Sequence, residues 1–131
     1  MSEWPNRNPG AAFRQRAAEV GLDVDRPLSY GPFTLTLDRY ELRADGRLLD
    51  VSPLQLELLA VFFAAPGRIW NRRELNDLVG GGPAESRRID VRLARLRVAL
   101  GADIFRTITG RGWILRAVDQ ISDHEGGNSV R

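Results

Sequence analysis

Arginine is concentrated in one short part of this chain. Residues 87–116 contain eight arginines and two aspartates, a net charge of +6, whereas the whole chain carries only +2. These arginines are Arg87, Arg88, Arg92, Arg95, Arg97, Arg106, Arg111 and Arg116. A guanidinium group can form bidentate hydrogen bonds with phosphates and with guanine edges. Such a cluster on one helix and one hairpin predicts a surface that binds double-stranded DNA.

Two predicted elements position these arginines. Apolar residues at helical spacing (Ile89, Leu93, Leu96 and Leu100) predict a helix from about residue 86 to 100, ended by Gly101. This stripe leaves Arg88, Val91, Arg92 and Arg95 facing outward, and a small apolar group such as Val91 can contact a thymine methyl. Residues 104–116 predict a β-hairpin that turns at Gly110-Arg111-Gly112 and presents Arg111 at its tip.

The alternative to DNA binding is that these charges have no partner. Charged residues on a helix usually mark a face exposed to solvent, and Arg111 could serve only to keep an exposed turn soluble. Two features favour DNA contact instead. The outward helix face is positive apart from Asp90, so internal ion pairs do not balance it, and it carries the apolar Val91 among the arginines. An extended arginine at the hairpin tip also suits the narrow, negative minor groove.

The preceding residues predict an antiparallel sheet followed by two helices. Alternation from Tyr30 and the turn at Ala44-Asp45-Gly46 indicate three or four short strands. Ser52 with Gln55, and Asn71 with Glu74, form capping boxes that start two helices. We therefore expect residues 30–117 to form the domain and residues 118–131 a disordered tail. Residues 1–29 are expected to be a partly disordered accessory arm with a short helix, dispensable for stability.

Composition excludes several other classes of protein. The chain has no cysteine, and its single histidine, His124, lies in a polar segment, so we expect no metal site, no cofactor and no enzymatic activity. We expect no signal peptide, and the longest apolar run, Leu58 to Ala65, is too short to span a membrane, so we expect a cytoplasmic protein. The exclusive use of arginine as the basic residue is typical of a GC-rich genome.

Four segments together resemble the OmpR/PhoB-type winged-helix family, the output domain of many bacterial response regulators. They are VSPLQLELLAVF, PGRIWNRREL, RIDVRLARLRVAL and RTITGRGWIL, in this order and spacing. The resemblance implies an α+β winged helix-turn-helix fold: an N-terminal antiparallel sheet, three helices and a C-terminal hairpin, the wing. It further implies that the third helix enters the major groove and that the wing, residues 104–116, reaches the minor groove.

Carried over by position, the resemblance assigns DNA contacts to named residues. Arg87, Val91, Arg92 and Arg95 would face the major groove. Phosphate contacts would come from Arg97 and Thr107, and from Trp70 and Arg72 near the start of the second helix. Arg111 would be the contact at the tip of the wing, and Arg88 and Thr109 would also contact DNA. Trp113 stands where the family usually has tyrosine, and we expect it to be structural.

The resemblance leaves partners and regulation open. In this family the loop corresponding to Gly80–Glu85 often touches RNA polymerase, and members often bind direct repeats as head-to-tail pairs. The 29 residues before Tyr30 are too few for a receiver domain, and the chain has no lysine, so we expect no control by aspartyl phosphorylation within it. The alternative to a DNA-binding regulator is a winged-helix module that docks on RNA polymerase or another regulator.

Overall fold

A computed structural model describes residues 10–79, 89–120 and 122–123. Four α-helices lie in these ranges: α1 (Ala11–Glu19), α2 (Pro53–Ala64), α3 (Arg72–Val79) and α4 (Ile89–Leu100). The strands are β1 (Leu28–Tyr30), β2 (Phe33–Thr36), β3 (Glu41–Ala44), β4 (Arg47–Leu49), β5 (Ala102–Asp103), β6 (Phe105–Ile108), β7 (Gly112–Leu115) and β8 (Ser122–Asp123). A 3-10 helix spans Val118–Gln120.

The first four strands form one antiparallel sheet in the order β1-β2-β3-β4, as alternation predicted. Ala44 pairs with Arg47, so Asp45 and Gly46 form a two-residue turn, and both have positive φ, at 52° and 85°. This is the geometry for which an Asp-Gly pair is favoured. The α+β winged-helix prediction is confirmed, with β6 and β7 forming the C-terminal hairpin.

Both predicted capping boxes are present. The Gln55 backbone N–H donates to the Ser52 hydroxyl (3.2 Å), and the Ser52 N–H donates to the Gln55 side-chain oxygen (3.0 Å). At the start of α3, the Glu74 N–H donates to Asn71 Oδ1 (2.8 Å), and the Asn71 N–H donates to Glu74 Oε1 (3.0 Å). These bonds satisfy backbone donors that a helix leaves unpaired in its first turn, and so fix where α2 and α3 begin.

Helix α2 lies at the centre of the core. Leu56 and every residue from Leu58 to Phe63 are buried, so the helix is apolar around most of its circumference. Phe62 packs edge-on against Phe105 of β6, with ring centroids 4.9 Å apart, and Phe63 packs against Tyr30 of β1 at 5.4 Å. Helix α2 therefore joins the N-terminal sheet to the hairpin.

The prediction that the N-terminal segment is an accessory arm is wrong for residues 10–24. Phe13 of α1 is 1% exposed, Ala17 is fully buried, and Leu22 and Val24 also lie in the core. The Arg16 Nε donates to the Leu78 carbonyl of α3 at 2.7 Å. The apolar face of α1 is short, but α1 packs against α3 and this face is buried in the core, so the domain begins before residue 30.

The predicted C-terminal boundary also needs correction. The 3-10 helix follows residue 117, and β8 pairs with β5 through Ala102–Asp123 and Asp103–Ser122. Residues 118–120 and 122–123, beyond the predicted boundary, therefore form regular structure. Residues 1–9, 80–88, 121 and 124–131 lie outside the described part of the chain. None of the helices described is long and apolar enough to cross a bilayer.

Candidate nucleic-acid interface

Helix α4, which is the third helix of the winged-helix prediction, has one buried and one exposed face. Ile89, Leu93, Leu96 and Leu100 are buried, as their spacing predicted. The exposed residues are Asp90, Val91, Ala94, Arg95 and Val98, and Arg92 is half-buried. Of the outward residues predicted to contact DNA, Val91 and Arg95 are exposed to solvent. Arg87 and Arg88 lie outside the described residues.

Arg97 does not project from this face. Its Nε donates to Asp103 Oδ1 at 2.8 Å, and its guanidinium lies 5.7 Å from the centre of the Phe105 ring. Arg116, at the end of β7, donates to the other oxygen of Asp103 at 3.3 Å. Burial opposes ionisation of Asp103, but the two guanidinium groups outweigh it and lower the pKa of this carboxyl. The predicted phosphate contact of Arg97 is therefore corrected to a structural role, in which it ties α4 to β5.

The wing presents its polar side chains to solvent. In the β6–β7 hairpin the Arg111 N–H donates to the Ile108 carbonyl at 2.8 Å, which closes the turn. Thr107, Thr109 and Arg111, all predicted to contact DNA, are exposed, and so is Arg106. Within the described ranges, Arg95, Arg106 and Arg111 have no salt-bridge partner. These three cations remain available to an external anion.

Trp70 is in the core, although it was predicted to contact phosphate. Its side chain is 1% exposed, and the Arg68 guanidinium covers its ring at 3.8 Å. Its backbone pairs with Trp113: the Trp70 N–H donates to the Trp113 carbonyl (2.8 Å), and the Trp113 N–H donates to the Trp70 carbonyl (2.9 Å). The indole therefore cannot reach a phosphate in this conformation, and the residue instead holds the wing beside the start of α3.

Arg72 connects three elements of the exposed surface. It is the first residue of α3, its guanidinium lies 5.6 Å from the centre of the Trp113 ring, and it forms a salt bridge with Asp90 of α4. The hydrogen bond from Arg72 lowers the pKa of Asp90. Trp113 is half-buried against the core, in agreement with its predicted structural role. Arg72 is exposed beside both α4 and the wing, where a backbone phosphate could compete for it.

Gly112 is required for the shape of this surface, whereas its sequence context indicated only a role in the hairpin turn. Its φ is +135°, and a Cβ at this position would lie 2.1 Å from the Trp70 carbonyl oxygen. Only glycine allows the wing to approach Trp70 so closely. The approach leaves a shallow cavity of about 290 Å³ lined by Asn71, Arg72, Thr107, Ile108, Gly110, Arg111, Gly112 and Trp113. Its two arginines make it suited to an anionic group.

Residues 46–115 match the family model described as "Transcriptional regulatory protein, C terminal". Among curated relatives, the transcriptional regulatory protein CseB of Streptomyces coelicolor is 34% identical over 103 residues, covering 77% of this chain and 42% of that protein. The phosphate regulon regulator PhoB of Pseudomonas aeruginosa is 31% identical over 96 residues, covering 70% of this chain and 42% of that protein. The chain thus spans less than half the length of these relatives.

Solved structures agree on the fold. The DNA-binding domain of CpxR from Escherichia coli superposes with a TM-score of 0.64 at 25% identity, covering 71% of this chain and 98% of that one. The DNA-binding domain of the response regulator AdeR, solved in complex with an intercistronic region, superposes with a TM-score of 0.63 at 18% identity, covering 68% and 98%. The chain belongs to the OmpR/PhoB-type family of transcriptional regulatory C-terminal domains.

Proposed function

We propose that this domain is a sequence-specific, double-stranded DNA-binding transcriptional regulator. The observation that carries the proposal is the set of exposed arginines without salt bridges in the described part of α4 and the wing: Arg95, Arg106 and Arg111. They lie on the two elements that this family's fold places next to each other. Arginines that are not paired with acidic residues of the same protein can bind DNA phosphates. In doing so they release the counterions that otherwise neutralise these phosphates.

In the proposed complex, α4 lies in the major groove and the wing reaches the adjacent minor groove. Val91, Arg92 and Arg95 face base edges, and Arg87 and Arg88 extend this set at the start of the helix. Arg111 enters the minor groove, whose negative potential favours a guanidinium. Thr107 and Arg72, which line the wing cavity, and Thr109, which is exposed beside the turn, hold backbone phosphates. Phosphate contacts fix the position of the protein, and base contacts supply its specificity.

A second candidate function is supported by one observation. Val91 and Val98 are 40% and 65% exposed on the same helix, and exposed apolar side chains are typical of protein contacts. A winged-helix module could use them to dock on RNA polymerase or another regulator. Contact with RNA polymerase, pairing of two copies on direct repeats and a cytoplasmic location are likewise proposals.

The two candidates differ in their dependence on salt. The test is to select duplexes from a random library with the purified protein, and then to titrate the enriched duplex over a range of salt concentrations. Because phosphate contacts release counterions, the logarithm of affinity should fall linearly with the logarithm of salt concentration, with a slope of about −0.9 per phosphate contacted. Arg106→Ala should reduce this slope, whereas Arg47→Ala, at an exposed position in the N-terminal sheet, is the charge-matched control.

Failure to enrich any duplex would overturn the proposed function. So would an affinity that is independent of salt. Enrichment with a steep salt dependence, lost in part with Arg106→Ala and retained with Arg47→Ala, is the result that we expect.

A further inference from the structure

The line of α4 that points directly away from the core is apolar. Successive residues of an α-helix are about 100° apart, so Val91 and Val98 lie within about 20° of each other after two turns. Both lie opposite the buried stripe that contains Leu93 and Leu96. Ala94, also exposed, lies about 40–60° to one side of them. We call Val91, Ala94 and Val98 the methyl ridge.

The arginines of α4 lie beside this ridge and not on it. Arg95 is about 40° from Val91 around the helix axis, and Arg92 and Arg97 lie further round, where both are half-buried. Arg97 is in addition held by Asp103 at 2.8 Å. A helix that enters a groove along its outward line would therefore bring the methyl ridge closest to the base edges, with Arg95 reaching past one side.

The chemistry of the ridge points to one kind of base feature. Valine and alanine side chains have no hydrogen-bond donor or acceptor, so they cannot read the polar groups in the major groove. The C5-methyl group of thymine is the apolar feature that the major groove presents, and 5-methylcytosine carries the same group at the same ring position. We propose that the methyl ridge selects pyrimidines that carry a C5-methyl group at the base pairs it faces. This inference rests on the proposed function and specifies how the sequence is read.

The length of the ridge sets the number of base pairs involved. Val91 and Val98 are seven residues apart, which corresponds to about 10.5 Å along the helix axis. Base pairs are spaced at 3.4 Å along the duplex axis, and a helix in the groove is inclined to that axis, so the ridge spans at most about three of them. DNA is favoured over a protein partner because a cation lies on each side of the ridge, a charge pattern complementary to phosphates. Arg95 is about 40° to one side of Val91, and Arg72 lies on the other side, where it contacts Asp90, about 100° from Val91 around the helix axis.

The test uses the duplex enriched from the random library and replaces its thymines one at a time with deoxyuridine. This change removes only the C5-methyl group and leaves the pairing edge intact. Burial of one methyl group predicts an affinity loss of about fourfold at two or three adjacent positions, and no loss elsewhere. The same measurement on Val98→Ala should abolish the deoxyuridine effect at one of these positions. Val118→Ala, at a 53% exposed valine in the 3-10 helix, is the matched control.

A second arm separates the methyl group from the rest of the base pair. A sensitive T·A pair is replaced by C·G, and the cytosine is then methylated at C5. Partial recovery of affinity on methylation supports the ridge, and no recovery overturns it. Because Val98 is 65% exposed, Val98→Ala should keep the wild-type thermal midpoint, so a loss of affinity cannot be assigned to unfolding.

Three outcomes separate the failure of the ridge from the failure of the proposed function. If no thymine is sensitive to deoxyuridine while the enriched duplex is still preferred, the ridge is overturned and sequence-specific DNA binding stands. If Val98→Ala changes the sedimentation of the protein alone and leaves DNA affinity unchanged, the ridge is a protein contact and the proposal is overturned. If no duplex is enriched at all, the proposed function itself fails.

Discussion

Trp70 and Trp113 exchange two backbone hydrogen bonds, of 2.8 and 2.9 Å, although they are 43 positions apart in the chain. This isolated bridge fixes the wing to Trp70, two residues before α3 begins at Arg72. It also brings Trp113 under Arg72, which in turn contacts Asp90 on α4. The relative position of α4 and the wing thus depends on a close approach of two backbones.

Replacing Gly112 with alanine should disrupt this approach. The new Cβ would lie 2.1 Å from the Trp70 carbonyl oxygen, and the φ of +135° is unfavourable for any residue with a side chain. We expect a clear loss in the free energy of unfolding, measured by chemical denaturation, and a loss of wing-dependent DNA affinity.

Gly110→Ala is the matched control in the same turn. Its φ is +77°, but a Cβ there would meet no atom within 4 Å, so the substitution should cost only the strain of the left-handed conformation, about 1–2 kcal/mol. Equal destabilisation by the two substitutions would contradict the role assigned to the Trp70–Gly112 contact.

Local signals in the sequence accounted for much of the fold. The Asp45-Gly46 turn, the capping boxes at Ser52 and Asn71, and the buried stripe of α4 each depend on residues close together in the chain, and the structure confirms them. The family resemblance supplied the arrangement of these elements, and the matched family model agrees with it.

Errors arose where distant residues determine the outcome. Arg16 of α1 donates to the Leu78 carbonyl, 62 positions away, and no local sequence pattern predicts that contact. Trp70 is buried with the Arg68 guanidinium over its ring, and its backbone pairs with that of Trp113. The family resemblance assigned Arg97 a phosphate contact, but its guanidinium donates to Asp103, just beyond the end of α4. In each case tertiary contacts changed the role that helical position or family position suggested.

Helix α1 is expected to be essential for stability. Phe13 is 1% exposed, so Phe13→Ala should reduce the free energy of unfolding by about 3–5 kcal/mol through lost burial and the cavity left behind. Val20→Ala, at a 46% exposed position just after α1, should have little effect and serves as the control. Denaturant titration of both variants tests this. Phe13→Ala unfolding at the wild-type denaturant midpoint would mean that α1 is only loosely docked.

Ionisation of the Glu57 carboxyl should lower the free energy of unfolding as pH rises. Burial raises its pKa above 4.5, outweighing the hydrogen bond from the Tyr40 hydroxyl (2.6 Å) and the charge of Arg16. A carboxyl whose pKa is raised by folding stabilises the fold while protonated, and this contribution is lost as pH rises from about 4.5 through the folded-state pKa. The difference in unfolding free energy between wild type and Glu57→Gln should therefore shift with pH in favour of the variant.

The measurement is chemical denaturation of both proteins at several pH values. Glu19→Gln, at an exposed position on α1, controls for the general loss of one negative charge. A stability difference that is constant with pH, or that shifts in favour of the wild type as pH rises, would contradict the assigned effect of burial.

Arg111 is expected to act through the minor groove. Because A-tracts have a narrow groove with a strongly negative potential, Arg111→Ala should lose most affinity on duplexes whose wing-facing flank is an A-tract. Arg106→Ala, at an exposed position on β6 away from the turn, should lose affinity to a similar extent on all flanks. Fluorescence anisotropy with a set of flanking sequences tests this. A deficit of Arg111→Ala that is independent of the flank would exclude minor-groove insertion.

The most direct test of sequence reading by α4 is the affinity of Arg95→Ala for the enriched duplex relative to a scrambled duplex at one fixed salt concentration. Arg95 is exposed beside the methyl ridge and has no salt-bridge partner among the residues described. A base contact by Arg95 should be worth about 1–3 kcal/mol of discrimination, a loss of roughly 5- to 150-fold on the enriched duplex with a much smaller loss on the scrambled one. Equal losses on the two duplexes would show that Arg95 contacts only phosphate and would contradict sequence readout through this residue.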